Sequence, residues 1–581
     1  MPLSRLFVFC LALLLVGCSS FPDEDLRRTD TTTWNTRYEP REYDGLEEWQ
    51  SRKDKLLALL RVGGGLYPES PSTPLNVRRF PALEDEGYTV EPVLFESFPG
   101  FYSAGSLYKP KGEGPFPALI HAHGHKPGGR FQEDEIFGVQ SASVHLARMG
   151  VVVFAPDMLG YNDSLQFGHH KLDPAFQLWG LNVMGLQTLT NLRSLDFLES
   201  LPEVDKERMG IMGWSGGGDQ TIVLAALEDR IKISIPMVTT SANTQSTCIC
   251  GNQPGLRHAT DHVEMTALAA PKPLLLVSCT GDYTWETPDR EFPAIKAVYK
   301  LYGEGDKAQN AHVEFDWHNL SPASRRAVYQ YLKEQWGLQA PVEERAFNLA
   351  DLGRLRVFPD DKLPAEAADR AQLFANWKTW VEEQLQRDFQ DDDFESVYRQ
   401  GLRLILGVEI PEPRELMTQE GPEGLLLLHR RDGKDRVPLS INPAEGPVTL
   451  LVSADGKIPE EAWKLNGTVA RVEVFSGPRA AEKVDLFRSF HLTETALKVQ
   501  DVLTALSFLR EEYPESELRL VGLGEAGLWS LLAAAVDGDI DYTIADANRF
   551  ACDEDTAYLE RLDVPGLRRL GDFKTVLKLV P

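Results

Sequence analysis

The chain has 581 residues, and 87 Asp and Glu against 60 Lys and Arg leave a formal charge of −27. That excess argues against a nucleic-acid partner, because neutralising phosphates takes clustered Lys and Arg, whereas a neutral carbohydrate stays open as a substrate. The length allows two or more domains.

Residues 1–18 read as a targeting segment: Arg5 and the amino terminus supply positive charge, and 6–16 is an apolar run. Leu15-Val16-Gly17-Cys18 has the form of a bacterial lipoprotein signal. The run is too short to span a bilayer as a mature helix. The expectation is lipidation of Cys18 and a cell-envelope location on a membrane surface. Ser19 and Ser20, with no aspartate after the cysteine, lean towards the outer membrane. Residues 19–42 are polar and read as a tether.

A catalytic domain is expected over 43–336. It opens with a helix over 56–62 ended by Gly63-Gly64-Gly65, then a hairpin over 88–108 turning at Phe98-Pro99-Gly100. Strands follow at 116–122, 151–155, 209–213, 231–238, 274–278 and 313–315. Helices over 141–148, 182–201, 221–227, 294–301 and 321–336 alternate with them. Such alternation predicts an α/β fold with a mostly parallel sheet covered by helices on both faces, its sites at the carboxyl ends of the strands. Residues 337–420 break the rhythm and read as a helical connecting region, with a helix over 365–389 and a solvated acidic patch at 391–393.

From 421 to 581 the first pattern returns as a second, smaller α/β domain. The run LRLVGLGEAG (518–527) echoes MGIMGWSGGG (209–218) at a constant offset of 309, which pairs Ile231 with Ile540 and Ser215 with Gly524. A glycine has no side chain with which to attack, so this domain is expected to be a degenerate copy of the first.

The chemistry centres on Gly213-Trp214-Ser215-Gly216-Gly217, a G-x-S-x-G turn between an apolar strand and a helix. A strand that reverses sharply into a helix needs small flanking residues, and it holds the serine hydroxyl exposed at the helix N-terminus. A serine needs a base in contact and an acid to orient that base, and here the partners follow in the order acid, then histidine. Asp282 ends the apolar strand 274–278 in Gly-Asp, whereas Asp289 and Asp306 follow no such strand. His318 lies in the loop after the last strand, while His312 is expected before that strand, at the wrong edge. The catalytic set is therefore Ser215, Asp282 and His318.

His121-Ala122-His123-Gly124-His125 closes an early strand. Gly124 and His125 are expected to present backbone N–H groups that join Gly216 in an oxyanion hole. No further ligand stands at a defined spacing from these histidines, and Cys248-x-Cys250 lacks a second pair, so neither metal nor cofactor is expected. An oxidising compartment allows a disulfide among Cys248, Cys250, Cys279 and Cys552, with the pairing open. Trp179, Trp214, Trp285 and Trp317 are open to sugar stacking or core packing.

GWSGGGDQT, ALEDRI, APKPLLLVSCTGDYTW and FDWHN before SRRAVYQYL together resemble bacterial α/β-hydrolases related to acetyl xylan esterases and dienelactone hydrolases. The likeness covers about residues 85–336. It implies carboxylic-ester hydrolysis with Ser215 as nucleophile, Asp282 as acid and His318 as base, on a small-molecule or carbohydrate ester such as an acetylated polysaccharide. A serine peptidase on the same scaffold and an inactive surface-binding lipoprotein are the alternatives.

Overall fold

Two sheets carry the chain. The computed structural model describes residues 21–581 except 171–172, 349–351, 432 and 461–464. The expected signal segment and Cys18 lie outside the described residues.

The first sheet contains β1 (Arg78–Arg79), β2 (Leu83–Asp85), β3 (Tyr88–Phe98), β4 (Phe101–Pro110), β5 (Phe116–Ala122), β6 (Val152–Pro156), β7 (Val204–Trp214), β8 (Ile233–Met237), β9 (Leu274–Gly281) and β10 (Ala308–Trp317). Its order is β1-β3-β4-β6-β5-β7-β8-β9-β10, with β2 beside β3. Pairing is antiparallel through β3–β4 and β4–β6 and parallel from β6 onward.

Side-chain alternation along these strands feeds two buried layers. Leu119 and Val153 face one layer, shared with Val144 of helix Val139–Arg148 and Val328 of helix Pro322–Trp336. Ile120 and Phe154 face the other, shared with Leu195 of helix Val183–Glu199 and Leu224 of helix Gly216–Leu227. Because the strands from β5 to β10 run parallel, their carboxyl ends share one rim. Ser215, Asp282 and His318 directly follow β7, β9 and β10 on that rim.

The second sheet contains β11 (Leu416–Glu420), β12 (Leu426–Arg430), β13 (Val437–Asn442), β14 (Val448–Ser453), β15 (Thr468–Val472), β16 (Leu518–Leu523) and β17 (Tyr542–Ala545), in the order β11-β12-β13-β15-β14-β16-β17. The run β13-β15-β14-β16-β17 repeats β4-β6-β5-β7-β8, including the antiparallel pair followed by parallel ones. Among the described residues this sheet stops at β17. Among those residues it has no counterpart of β9 or β10, the strands that end at Asp282 and His318 in the first.

Two expectations need correction. Residues 21–42 are docked on the body instead of trailing as a tether. The Arg27 guanidinium forms a buried ion pair with Asp501 at 2.6 Å, and the amide of Tyr38 donates to the carbonyl of Ala242 at 2.8 Å. The segment between the two sheets is also more than a connector. Trp377 and Val381 of helix Arg370–Asp388 and Tyr398 and Leu402 of helix Phe394–Leu406 share one apolar core with the second sheet and with Trp179 and Leu181 of the first domain. The helix starts at Arg370, later than expected, because the Asp369 carboxylate caps it by accepting from the amide of Gln372. The acidic patch 391–393 is exposed, as its charge requires.

Candidate active site

Ser215 joins β7 to helix Gly216–Leu227 at φ 56° and ψ −125°, a conformation that an L-residue adopts only when its surroundings enforce it. Two close approaches explain the flanking glycines. A Cβ at Gly213 would stand 2.3 Å from the carbonyl oxygen of Gly217, and one at Gly217 would stand 2.0 Å from that of Ala122. The turn is pinned by the Ser215 amide, which donates to the carbonyl of Met237 at 3.0 Å, and by the Thr239 hydroxyl, which donates to the carbonyl of Ser215 at 3.0 Å.

The three expected catalytic residues meet. His318 Nε2 lies 2.8 Å from Ser215 Oγ, and His318 Nδ1 lies 3.1 Å from Asp282 Oδ1. The second carboxylate oxygen of Asp282 accepts from the Thr284 hydroxyl at 2.7 Å, which fixes the plane of the carboxylate. The Asp282 side chain is buried, while a third of the His318 ring is open to solvent. The acid is thus shielded and the base reachable.

A break in the β9–β10 ladder between Val313 and Trp317 turns the His318 loop towards the serine. Phe315 within it has φ 59°. The Asp316 carboxylate then holds the loop, accepting from the Trp317 amide at 2.9 Å, the Asn319 side-chain amide at 2.5 Å and the Ser321 hydroxyl at 2.5 Å. Thr284 and Asp316 are supporting residues that sequence reasoning missed; their positions two residues from the acid and from the base were the available signal. The rivals stay outside the site. Asp289 and Asp306 are exposed. His312 does not precede the last strand as expected, because β10 pairs from Ala308 onward, and it sits within that strand between the hydroxyls of Ser278 and Thr280.

Gly124, His125 and Gly216 are contiguous beside the serine. The His125 ring lies where a Cβ on Gly216 would be, 2.3 Å from its Cε1. Gly216 opens a helix of 12 residues, whose first amides have no intrahelical acceptor. His121 and His123 take no part. His121 Nδ1 is 2.9 Å from the Ser143 hydroxyl, and His123 Nε2 accepts from the Met158 amide at 3.0 Å. Burial pushes both imidazoles down to about 3.

The His125 ring points elsewhere, into a cluster with His169, Cys248 and Cys250 whose four ligand atoms lie within 4.8 Å of one another. Cys248-x-Cys250 was expected to lack metal partners; folding supplies two histidines from distant loops. All four cysteines of the described chain are free thiols.

The tryptophans divide. Trp179 and Trp214 are buried, whereas Trp285 is 55% and Trp317 is 54% exposed, beside Phe315 at 92%. These three aromatics sit within three residues of Asp282 or His318, on the open side of the site.

A mostly parallel sheet, a strained serine elbow, and an acid and a histidine on the following strand ends define the class: the chain is an α/β-hydrolase. Residues 75–245 match the family model described as acetyl xylan esterase (AXE1). The chain is 28% identical over 276 residues to "Putative hydrolase YtaP" of Bacillus subtilis (strain 168), covering 44% of this chain and 90% of that protein. Among solved structures it is similar to methylesterase BT1017, with 27% identity, a TM-score of 0.48, and coverage of 60% of this chain and 78% of that one. An acetyl xylan esterase from Paenibacillus sp. R4 shares 18% identity at a TM-score of 0.35, covering 51% of this chain and 97% of its own.

Proposed function

We propose that the protein is a serine carboxylic-ester hydrolase that removes acetyl groups from a carbohydrate through an acyl-enzyme. His318 Nε2 takes the proton of Ser215 as its oxygen attacks the ester carbonyl. Asp282 keeps the Nδ1 proton in place and offsets the charge on the imidazolium. The Gly216 amide, with an amide of the Gly124–His125 loop, receives the developing oxyanion. The sugar alcohol leaves with the proton from His318, and water then releases acetate by the same relay in reverse.

The observation that carries this reading is the continuous Ser215–His318–Asp282 relay, with spacings of 2.8 and 3.1 Å. Exposed Trp285 and Trp317 at its mouth favour a sugar, whose apolar ring faces stack on aromatic side chains. A fluorophosphonate should label Ser215 in the folded protein, and acetylated xylo-oligosaccharides should outperform both alkyl esters and peptide anilides. Absence of labelling supports the inactive binding protein instead, and turnover of the anilide alone supports the peptidase.

For location we propose a lipid anchor on Cys18 in the cell envelope, on the strength of the Leu15-Val16-Gly17-Cys18 run. Metabolic labelling with a fatty acid, lost in Cys18→Ala, tests it.

A further inference from the structure

Four soft or borderline donors converge on one point beside the active site. His125 comes from the loop after β5, His169 from the loop after β6, and Cys248 and Cys250 from a turn after β8. His125 Nε2 lies 2.9 Å from His169 Nε2 and 3.2 Å from Cys250 Sγ, and Cys248 Sγ lies 3.3 Å from His169 Nε2. We propose that these four side chains form a closed tetrahedral site for one zinc-class divalent ion.

The geometry fits with small adjustments. Zinc bonds of about 2.0–2.1 Å to nitrogen and about 2.3 Å to sulfur put tetrahedral ligand atoms roughly 3.3 to 3.8 Å apart. The three short spacings open by a few tenths of an ångström, and the wider ones, which reach up to 4.8 Å, close by up to about 1 Å, within the reach of side-chain rotation.

The tautomer also fits. His169 Nδ1 is 2.9 Å from the carbonyl oxygen of Leu159, to which it donates. Its Nε2 therefore presents a bare lone pair to the cluster, the arrangement that a backbone carbonyl imposes on metal-bound histidine. The Cys250 amide, 3.5 Å from Cys248 Sγ, adds an N–H that favours a thiolate there.

A proton network satisfies this arrangement poorly. A proton on His125 Nε2 can point fully at either His169 or Cys250, not at both. One divalent ion instead accepts all four donors together, and with two thiolates it leaves the buried site electrically neutral.

With four protein ligands no position remains for water, so the ion is structural, not catalytic. Its role follows from what it joins. It would lock the His125 ring against Gly216, and with it the wall of the oxyanion hole, to two loops that the second domain also backs. The Gln177 side chain accepts from Arg488 at 3.1 Å, and the Asn252 carbonyl accepts from the Ser489 hydroxyl at 3.1 Å. The assignment is independent of the ester-hydrolase reading, since it is read out as metal content.

The test is elemental analysis of the untagged mature protein after exhaustive dialysis, together with zinc-edge X-ray absorption. About one zinc per chain in a shell of two sulfurs and two nitrogens is expected. Cys248→Ser and His169→Ala should each lower the content at least tenfold, and Cys279→Ser should leave it unchanged. A Cys248–Cys250 disulfide found by mass spectrometry, or wild-type protein that takes up no zinc when loaded with it, overturns the proposal. Because the absorption spectrum is recorded on wild type, poorly folding variants do not rescue it.

Discussion

Ser215 and Gly524 stand at the same turn of two similar strand–helix units, with φ of 56° and 59°. The offset of 309 residues carries β7 onto β16, helix Gly216–Leu227 onto Ala526–Asp537 within one residue, and β8 onto β17. The second unit thus has the positive φ of the elbow and lacks the hydroxyl.

Restoring that hydroxyl should not restore chemistry. A Cβ at Gly524 meets nothing within 4 Å, so a serine fits there at the cost of its positive φ, about 1 kcal/mol. Among the described residues the second sheet has no counterpart of β9 or β10, the strands that end at Asp282 and His318 in the first. The double variant Ser215→Ala/Gly524→Ser is expected to fold, to hydrolyse no p-nitrophenyl acetate and to take up no fluorophosphonate. Labelling at position 524 would show that a second relay exists.

Removing parts of the relay should cost unequal amounts. Ser215→Ala should lower kcat by about 10⁶-fold and Asp282→Asn by about 10⁴-fold, because the residual binding site and oxyanion donors still act. Thr284→Val deletes only the hydroxyl that orients the far oxygen of Asp282. A loss of about tenfold in kcat, with KM unchanged, is expected there. Steady-state kinetics on one soluble acetyl ester separates the three.

The main relay was legible because each member directly follows an apolar strand or turn, and parallel strands with covered faces put such positions on one rim. The repeat was legible for the same reason, as strand and helix patterns survive where side-chain chemistry does not. The His125, His169, Cys248 and Cys250 cluster was not, since its members come from three loops whose approach depends on packing across the fold. The run from His121 to His125 and the pair Cys248-x-Cys250 were its local traces, with nothing in the sequence to join them. Docking of residues 21–42 was hidden likewise: Arg27 is an ordinary polar residue until it meets Asp501, 474 positions away.

The exposed aromatics predict a split between substrates. If Trp285 and Trp317 form a sugar platform, Trp285→Ala and Trp317→Ala should each raise KM for acetylated xylo-oligosaccharide by about tenfold, equivalent to about 1.4 kcal/mol. Hydrolysis of p-nitrophenyl acetate, which has no sugar ring to stack, should stay within about twofold, since surface changes of this kind cost little stability. Equal effects on both substrates would assign these residues to packing of the loops.

Docking of the amino-terminal segment should depend on acidity. Burial raises the carboxyl of Asp30, but hydrogen bonds from Lys434 and Thr32 outweigh it and bring the group down to about 2. The Lys434 ammonium sits at 2.6 Å and the Thr32 hydroxyl at 2.7 Å. A carboxyl depressed in the folded state stabilises above its ordinary value of 3.8, and that contribution is lost as pH falls towards about 2. Because the Lys434 ammonium that pairs with it is half exposed, screening holds the effect to about 1 kcal/mol. Asp30→Asn should therefore be less stable than wild type at neutral pH, and the gap in denaturant midpoint should close between about pH 4 and pH 2. Hydrogen exchange over residues 21–42 should rise across the same window in wild type and be raised throughout in the variant. A gap that persists unchanged to pH 2 would mean that Asp30 contributes through hydrogen-bond shape and not through its charge.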